Sequence, residues 1–348
     1  MSQTYTEILN QPSSWEETLR LVPELWSHLG AKLGIGAETH ALFAGCGTSL
    51  YIAQAAAQSF QEVTGLVATA VPASEIFLSA VSVVPAGRPV VVFLISRSGR
   101  TSEAILAADF LRAVPNVQTI GVTCNSGTEL VHRTDGAIEL PHASEQSVVM
   151  TQSFTTMLLA LQIVAGLVAG DGALHAELQR LPAAARDLLP EVGGFARHLA
   201  ENGDPDLVVH LGLGPNQGLA EEGTLKLKEM TQVPCESYNP LEFRHGPISV
   251  VTDRTLVVIL EGLRERAYIE DVERDLVRTG AVVARIAPYA TSSPATSLML
   301  GAGFSDISRC CLYLPPLQLH GYYRAVGRGL DPDRPRNLNQ VVVLDANR

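Results

Sequence analysis

Three hydroxyl side chains cluster in the run Ser96-Arg97-Ser98-Gly99-Arg100-Thr101. The residues before it, Val91-Val92-Phe93-Leu94-Ile95, are apolar and rich in β-branched types. Those after it, from Glu103 to Arg112, follow a helical pattern. The order is that of a buried strand, a tight turn and a helix start. The N–H groups of a first helical turn have no intrahelical partner, and the helix dipole adds partial positive charge beside them. With Ser96, Ser98 and Thr101 around the same point, such a turn can hold a phosphate or another small anion. An ordinary β–α turn capped by Ser and Thr reads the same way. Neither the Gly-Lys-Ser/Thr ending of a nucleotide P-loop nor the Gly-x-Gly-x-x-Gly of a dinucleotide fold is present.

A second group of residues suits proton transfer. Glu222, Lys226 and Glu229 stand at i, i+4 and i+7 of a predicted helix, so they share one face. Leu219, Gly223, Leu227 and Met230 form a separate stripe that can pack on a sheet. Glu and Lys at this spacing usually mean a solvated face with ion pairs along the helix. Against that reading stands the next block, Glu236-Ser-Tyr-Asn-Pro-Leu-Glu-Phe-Arg-His245-Gly-Pro247, which holds a histidine between Arg244 and Gly246-Pro247. A carboxylate, a lysine and a histidine within 20 residues, expected at the strand-end side of a sheet, can move a proton next to a carbonyl.

The elements that position these groups read as one α/β unit used twice. Apolar runs fall at 41–44, 66–71, 90–95, 118–122 and 137–140, then again at 207–213, 234–238, 256–260, 282–287 and 311–314. Helical patterns lie between most of them, the signature of parallel sheets with helices on both faces. The first strand of each half ends alike, in Gly45-Cys46-Gly47-Thr48-Ser49 and Gly212-Leu213-Gly214-Pro215-Asn216, which suggests a duplication. The predicted organisation is a helical segment at 1–36, a first domain at 37–170, a helical linker at 171–205 and a second domain with a tail at 206–348. Ligands of such sheets bind at the carboxyl ends of the strands.

Composition narrows the function. The chain has 348 residues, 46% hydrophobic and 18% charged, enough for two full cores. A net charge of −11 argues against nucleic acid and against an anionic membrane surface, so an anionic substrate needs a local donor cluster. Five cysteines without Cys-x-x-Cys spacing suggest neither a disulfide framework nor a zinc site, and point to a reducing cytoplasm. The N-terminal residues have no signal-peptide pattern. The apolar stretch at 157–169 is interrupted by Gln162 and is read as a buried helix.

Four blocks carry a family resemblance: Gly45-Cys-Gly-Thr-Ser49, Ser96-Arg-Ser-Gly-Arg-Thr101, Glu222-Gly-Thr-Leu-Lys-Leu-Lys-Glu229 and Phe243-Arg-His-Gly-Pro247. In this order they resemble the sugar isomerase (SIS) domain family, above all the isomerase half of glucosamine-6-phosphate synthase. Thr6-Glu-Ile-Leu-Asn-Gln-Pro12 and Asp333-Arg-Pro-Arg-Asn-Leu338 are similar to the segments that flank that half. The resemblance implies two flavodoxin-like domains, each a five-stranded parallel sheet in a three-layer αβα arrangement, acting on a phosphosugar. It places the phosphate on Ser96, Ser98 and Thr101, and further substrate contacts on Gly47, Thr48, Ser49, Arg97, Val148 and Gln340. Glu229 falls on the base that moves a proton between C1 and C2, with Lys226 beside it. His245 falls on a ring-opening histidine that reaches the site from a neighbouring subunit, which implies a homodimer with shared sites.

Departures from the family pattern redirect the reaction. Gln340 stands where the synthase tail carries the lysine that forms an imine with the ketose, and an amide cannot do so. Met150 and Gln152 stand where the synthase pattern favours serine and lysine. No amidotransferase half or N-terminal cysteine nucleophile is found, so glutamine-dependent synthesis is not expected. The expected activity is isomerisation of a hexose 6-phosphate, or deamination of an aminohexose 6-phosphate. No metal or redox cofactor is needed. The alternative is a non-catalytic phosphosugar sensor.

Overall fold

The computed structural model describes residues 2–291, 296–342 and 344. In chain order the first half runs α1 (Gln3–Leu33), β1 (His40–Gly45), α2 (Thr48–Thr64), β2 (Ala68–Pro72), α3 (Ala73–Leu78), α4 (Ala80–Val83), β3 (Val90–Ile95), α5 (Ser102–Leu111), β4 (Val117–Thr123), α6 (Glu129–Arg133), β5 (Gly136–Glu139) and α7 (Gln152–Ala169). The second half runs α8 (Gly172–Glu201), β6 (Leu207–Gly212), α9 (Pro215–Thr231), β7 (Cys235–Tyr238), α10 (Pro240–Phe243), β8 (Thr255–Leu260), α11 (Arg266–Arg278), β9 (Val282–Ala287), β10 (Thr296–Met299), α12 (Asp306–Arg309) and α13 (Leu314–Gly327).

Each half forms a five-stranded parallel sheet, ordered β2-β1-β3-β4-β5 and β10-β9-β8-β6-β7. Renumbered within their own halves, the two orders are the same flavodoxin-like 2-1-3-4-5. Two of the three interior strands of the first sheet, β1 and β3, are buried at every position, as strands covered on both faces must be. Alternation divides them between two cores. Leu42, Val92 and Leu94 pack with Ala104, Ala107, Ala108 and Leu111 of α5. Phe43 and Phe93, paired across β1 and β3, stack on the opposite face with ring centroids 4.8 Å apart. Val209, Leu211, Val257 and Ile259 repeat the first arrangement against Ile269, Val272 and Leu276 of α11.

The duplication is most exact at the first turn of each half. Gly47 adopts φ 54°, ψ −127° and Gly214 adopts φ 60°, ψ −135°, a backbone that favours glycine. Two residues earlier the chain packs on itself: a Cβ on Gly45 would lie 2.4 Å from the Ser49 carbonyl carbon, and one on Gly212 would lie 2.1 Å from the Asn216 oxygen.

One predicted strand is corrected. The fifth strand of the second sheet is β10, not the apolar run 311–314. Cys311, Leu312 and Tyr313 lie in a 3₁₀ turn, and Leu314 opens α13. All four are buried, and a short run buried on every side has no period that separates strand from helix. Only Leu298 of β10 is fully buried, so that edge strand gives a thin hydrophobic signal.

The helix α7 has the length and hydropathy to cross a bilayer, but 83% of it is buried inside the protein. By internal contacts the chain divides into two compact units, one of residues 13–179 with 338–348 and one of residues 1–12 with 180–337.

Candidate active site

Strand β3 ends at Ile95 and leads directly into the turn that the hydroxyl spacing singled out. Ser96 is buried, its N–H bonds to the Val122 carbonyl of β4, and its Oγ lies 2.8 Å from Thr101 Oγ1. Ser96 Oγ accepts from Gly99 N at 3.1 Å, and Ser98 Oγ accepts from Arg100 N at 3.2 Å. Gly99 has φ +61°, and a Cβ there would meet Thr128 Oγ1 at 2.0 Å. Glycine is therefore required by both conformation and space. Thr101 is the N-cap residue of α5, but its side chain makes no capping bond. The first-turn N–H groups of α5 therefore have no side-chain cap from Thr101, and the paired Ser96 and Thr101 hydroxyls lie at that helix end. Thr128 is a residue the sequence reading missed. It is buried against Gly99, and its hydroxyl has no partner among the described residues.

The neighbouring strand β1 brings the glycine turn alongside, because β1 pairs directly with β3. Thr48 and Ser49 follow Gly47 and are buried in the first turn of α2. Burial and the nearby Glu103 carboxylate push the Cys46 thiol up to about 11, so Cys46 is no thiolate nucleophile at neutral pH.

Arg97 points away from the hydroxyl turn into its own chain. Its guanidinium donates to Glu145 Oε2 at 3.2 Å, to the Ser147 carbonyl at 3.3 Å, to the Val148 carbonyl at 3.0 Å and to the Gln340 carbonyl at 3.3 Å. Gln340 Nε2 adds bonds to the Gln146 and Ser147 carbonyls at 2.9 and 3.2 Å. Arg97, Val148 and Gln340, three residues distant in sequence, thus meet in one network. The charge of Arg97 is matched by Glu145, so Arg97 is not free to balance an anion at the turn. Glu145 also went unnoticed in the sequence. Its carboxylate accepts from Thr151 N, Thr151 Oγ1, Ser153 N and Ser153 Oγ, yet it sits in an irregular segment with no periodicity to mark it.

On α9, the shared face of Glu222, Lys226 and Glu229 is not solvated. Lys226 is 1% exposed and Glu222 is fully buried. Lys226 Nζ lies 2.5 Å from Glu229 Oε2 and 3.5 Å from Glu222 Oε1. Glu229 keeps 17% of its side chain open to solvent. The apolar stripe behaves as predicted, with Leu219, Leu227 and Met230 buried. The expected location needs correction. Glu229 sits in the last turn of α9, roughly 21 Å along the helix from Pro215, so it does not lie at the carboxyl end of β6.

His245 is exposed, in the turn between α10 and the 3₁₀ segment Pro247–Val250. Asn239 caps the short α10 by accepting from Leu241 N and Glu242 N, and Arg244 pairs with Asp275 at 2.7 Å. These contacts hold the chain that leads into the histidine, and the histidine itself is exposed. Glu229 precedes the amino end of β7, and His245 follows its carboxyl end.

The SIS domain family model matches residues 35–166 and 205–293, one segment in each half. The chain belongs to the SIS domain family. A Streptomyces coelicolor protein named "Putative D-galactosamine-6-phosphate deaminase AgaS" is 29% identical to this SIS chain, over 97% of it and 93% of the relative. The glutamine–fructose-6-phosphate aminotransferase of Treponema pallidum is 30% identical over 86% of the chain, which matches 51% of that relative's length. Among solved structures, a glucosamine-6-phosphate deaminase from Thermotoga maritima has a TM-score of 0.79 at 27% identity, covering 99% of this chain and 100% of that one. A tagatose-6-phosphate ketose/aldose isomerase from Escherichia coli has a TM-score of 0.88 at 25% identity, covering 100% and 97%.

Proposed function

We propose that this SIS protein is a phosphosugar isomerase that shifts a proton between C1 and C2 of a hexose or aminohexose 6-phosphate, releasing ammonia when C2 carries an amino group. The observation that carries the reading is the contact of Lys226 with Glu229 on a helix face withdrawn from water. A carboxylate that is partly open to solvent and bonded to a buried ammonium is equipped as a base beside a fixed positive charge. The deaminase and isomerase names of relatives matching the whole length of this chain support the same class.

In this reading the turn at 96–101 takes the phosphate, with Thr48 and Ser49 as further substrate contacts. The partner subunit's His245 transfers the proton that opens the sugar ring. Glu229 then removes the C2 proton and returns it at C1, and Lys226 balances the negative charge that develops between the two steps. With a 2-amino sugar the product is an imine at C2, which water hydrolyses to a ketose and ammonia. With a simple aldose the path runs through an enediol and ends at the ketose. Gln340 cannot form an imine with the ketose, which favours these routes over transfer of nitrogen onto it.

A panel of hexose and aminohexose 6-phosphates, assayed in parallel for aldose–ketose conversion and for ammonia, tests the proposal. Turnover of at least one member is expected. Saturable binding with no turnover across the panel would identify a sensor instead.

A further inference from the structure

A cleft of about 510 Å³ opens in the unit of residues 1–12 and 180–337, where the last turns of α8 and α13 meet. Its charged and aromatic lining is Arg197, Glu201, Asp204, Tyr323, Arg324 and Arg328. None of the residues assigned to the reaction belongs to it.

The guanidiniums are incompletely matched. Arg197 reaches Glu201 only at 3.7 Å, and Arg328 reaches Asp204 only at 3.8 Å. Arg324 is 3% exposed and bonds Asp204 at 2.5 Å, while its Nε has no partner among the described residues. A buried N–H without an acceptor is costly, and a guanidinium presents its donors as a fork suited to two oxygens at once. The side chain of Asp204 is 72% exposed, so it can turn into water when a better acceptor arrives. Arg197 also stacks over the Tyr323 ring at 4.4 Å, which holds its guanidinium at the cleft wall. Three arginines face two carboxylates here, a local positive excess on a chain whose net charge is −11. The volume is within the range of small-ligand sites.

We propose that this cleft is a second anion site, which takes a phosphoryl group on the Arg197, Arg324 and Arg328 guanidiniums. The group arrives as inorganic phosphate or on a sugar phosphate, and both present the same tetrahedral oxygens. Burial lowers the proton affinity of the Arg324 guanidinium, and an added anion would offset that cost.

Calorimetric titration with inorganic phosphate, and separately with fructose 6-phosphate, tests the assignment. In the chain with S98A and T101A the turn proposed for the substrate is weakened, so a phosphate that stays tight there and responds to the cleft arginines reports the cleft. One phosphate per chain is expected there, and adding R197A and R328A should weaken it at least tenfold. Both arginines are solvent-exposed, so their removal spares the fold. Wild-type protein gives the same answer if the turn variant does not fold: two phosphates per chain should fall to one with R197A and R328A alone. Equal affinity for both probes indicates a site open to sugar phosphates, and binding of inorganic phosphate alone indicates free phosphate. Binding indifferent to the arginine substitutions would overturn the proposal. So would a change of oligomeric state in R197A/R328A by sedimentation, because the cleft would then belong to a contact between chains.

Discussion

Lys226 Nζ stands 2.5 Å from Glu229 Oε2, with the lysine 1% exposed and the carboxylate one turn further along α9. A contact this short from a buried ammonium sets where the carboxylate points. It also means that the two residues fail differently when changed.

Replacing Glu229 with glutamine keeps the shape and removes the base. The expected result is a fall in kcat of about 10²–10⁴-fold, with loss of deuterium exchange at C2. A variant that exchanges C2 hydrogen at the wild-type rate would assign the base to another residue.

Replacing Lys226 with methionine acts on stability first. Glu222 is fully buried and has Lys226 as its counter-charge, so the change strands a carboxylate inside the protein. A loss of about 3–5 kcal/mol in urea unfolding is expected. Adding E222Q removes the stranded charge and should restore most of it. Equal stability of K226M and wild type would contradict the pairing.

At the hydroxyl turn, S98A with T101A should raise KM for the preferred sugar phosphate by at least about tenfold, since a hydrogen bond to a charged group contributes about 1.5–3 kcal/mol. Circular dichroism should be unchanged, because both residues are only half-buried. An unaltered KM would remove the turn from the substrate site.

Sharing of sites between two chains has a direct readout. If the base and the ring-opening histidine come from different subunits, mixing E229Q chains with H245A chains creates one site with both lesions and one with neither. Activity should return to about half of wild type per mixed dimer by that symmetry. No recovery on mixing would place both residues within a single chain's site.

Acid should weaken the second unit through two imidazoles. His210 of β6 and His320 of α13 are fully buried, and burial brings each down to about 3. An unfolded histidine titrates near 6.5, so between about pH 3 and 6.5 the unfolded chain binds more protons than the folded one. Stability is therefore complete above 6.5 and declines as pH falls, by about 1.4 kcal/mol per pH unit for each histidine. H320L should lower the slope of unfolding free energy against pH by roughly one histidine's share. An identical slope would show that His320 titrates normally.

The sheets were legible because their strands are long apolar runs bounded by glycine turns, and a parallel strand buried on both faces needs just that. The hydroxyl turn was legible for the same reason: a buried strand must end before a helix can start, and the residues at that junction are few. Arg97 carried no such mark. It looked like part of the phosphate turn, and only the tertiary contacts show it reaching the 145–148 segment and Gln340. The burial of Lys226 was likewise hidden, because Glu and Lys along a helix look the same whether water or another helix covers them. Gly321 of α13 faces the Lys226 carbonyl, a packing that lies 95 residues away in sequence and leaves no local trace.

The grip of Arg97 on the tail is made through the main-chain oxygen of residue 340, not through its side chain. Any amino acid supplies that oxygen. That bond survives any exchange at position 340, whereas the two bonds from Gln340 Nε2 to the Gln146 and Ser147 carbonyls depend on the side chain. A Q340K chain should keep the Arg97 bond to its main chain while gaining an amine, so the two kinds of contact at position 340, one fixed by the backbone and one set by the side chain, can be varied separately.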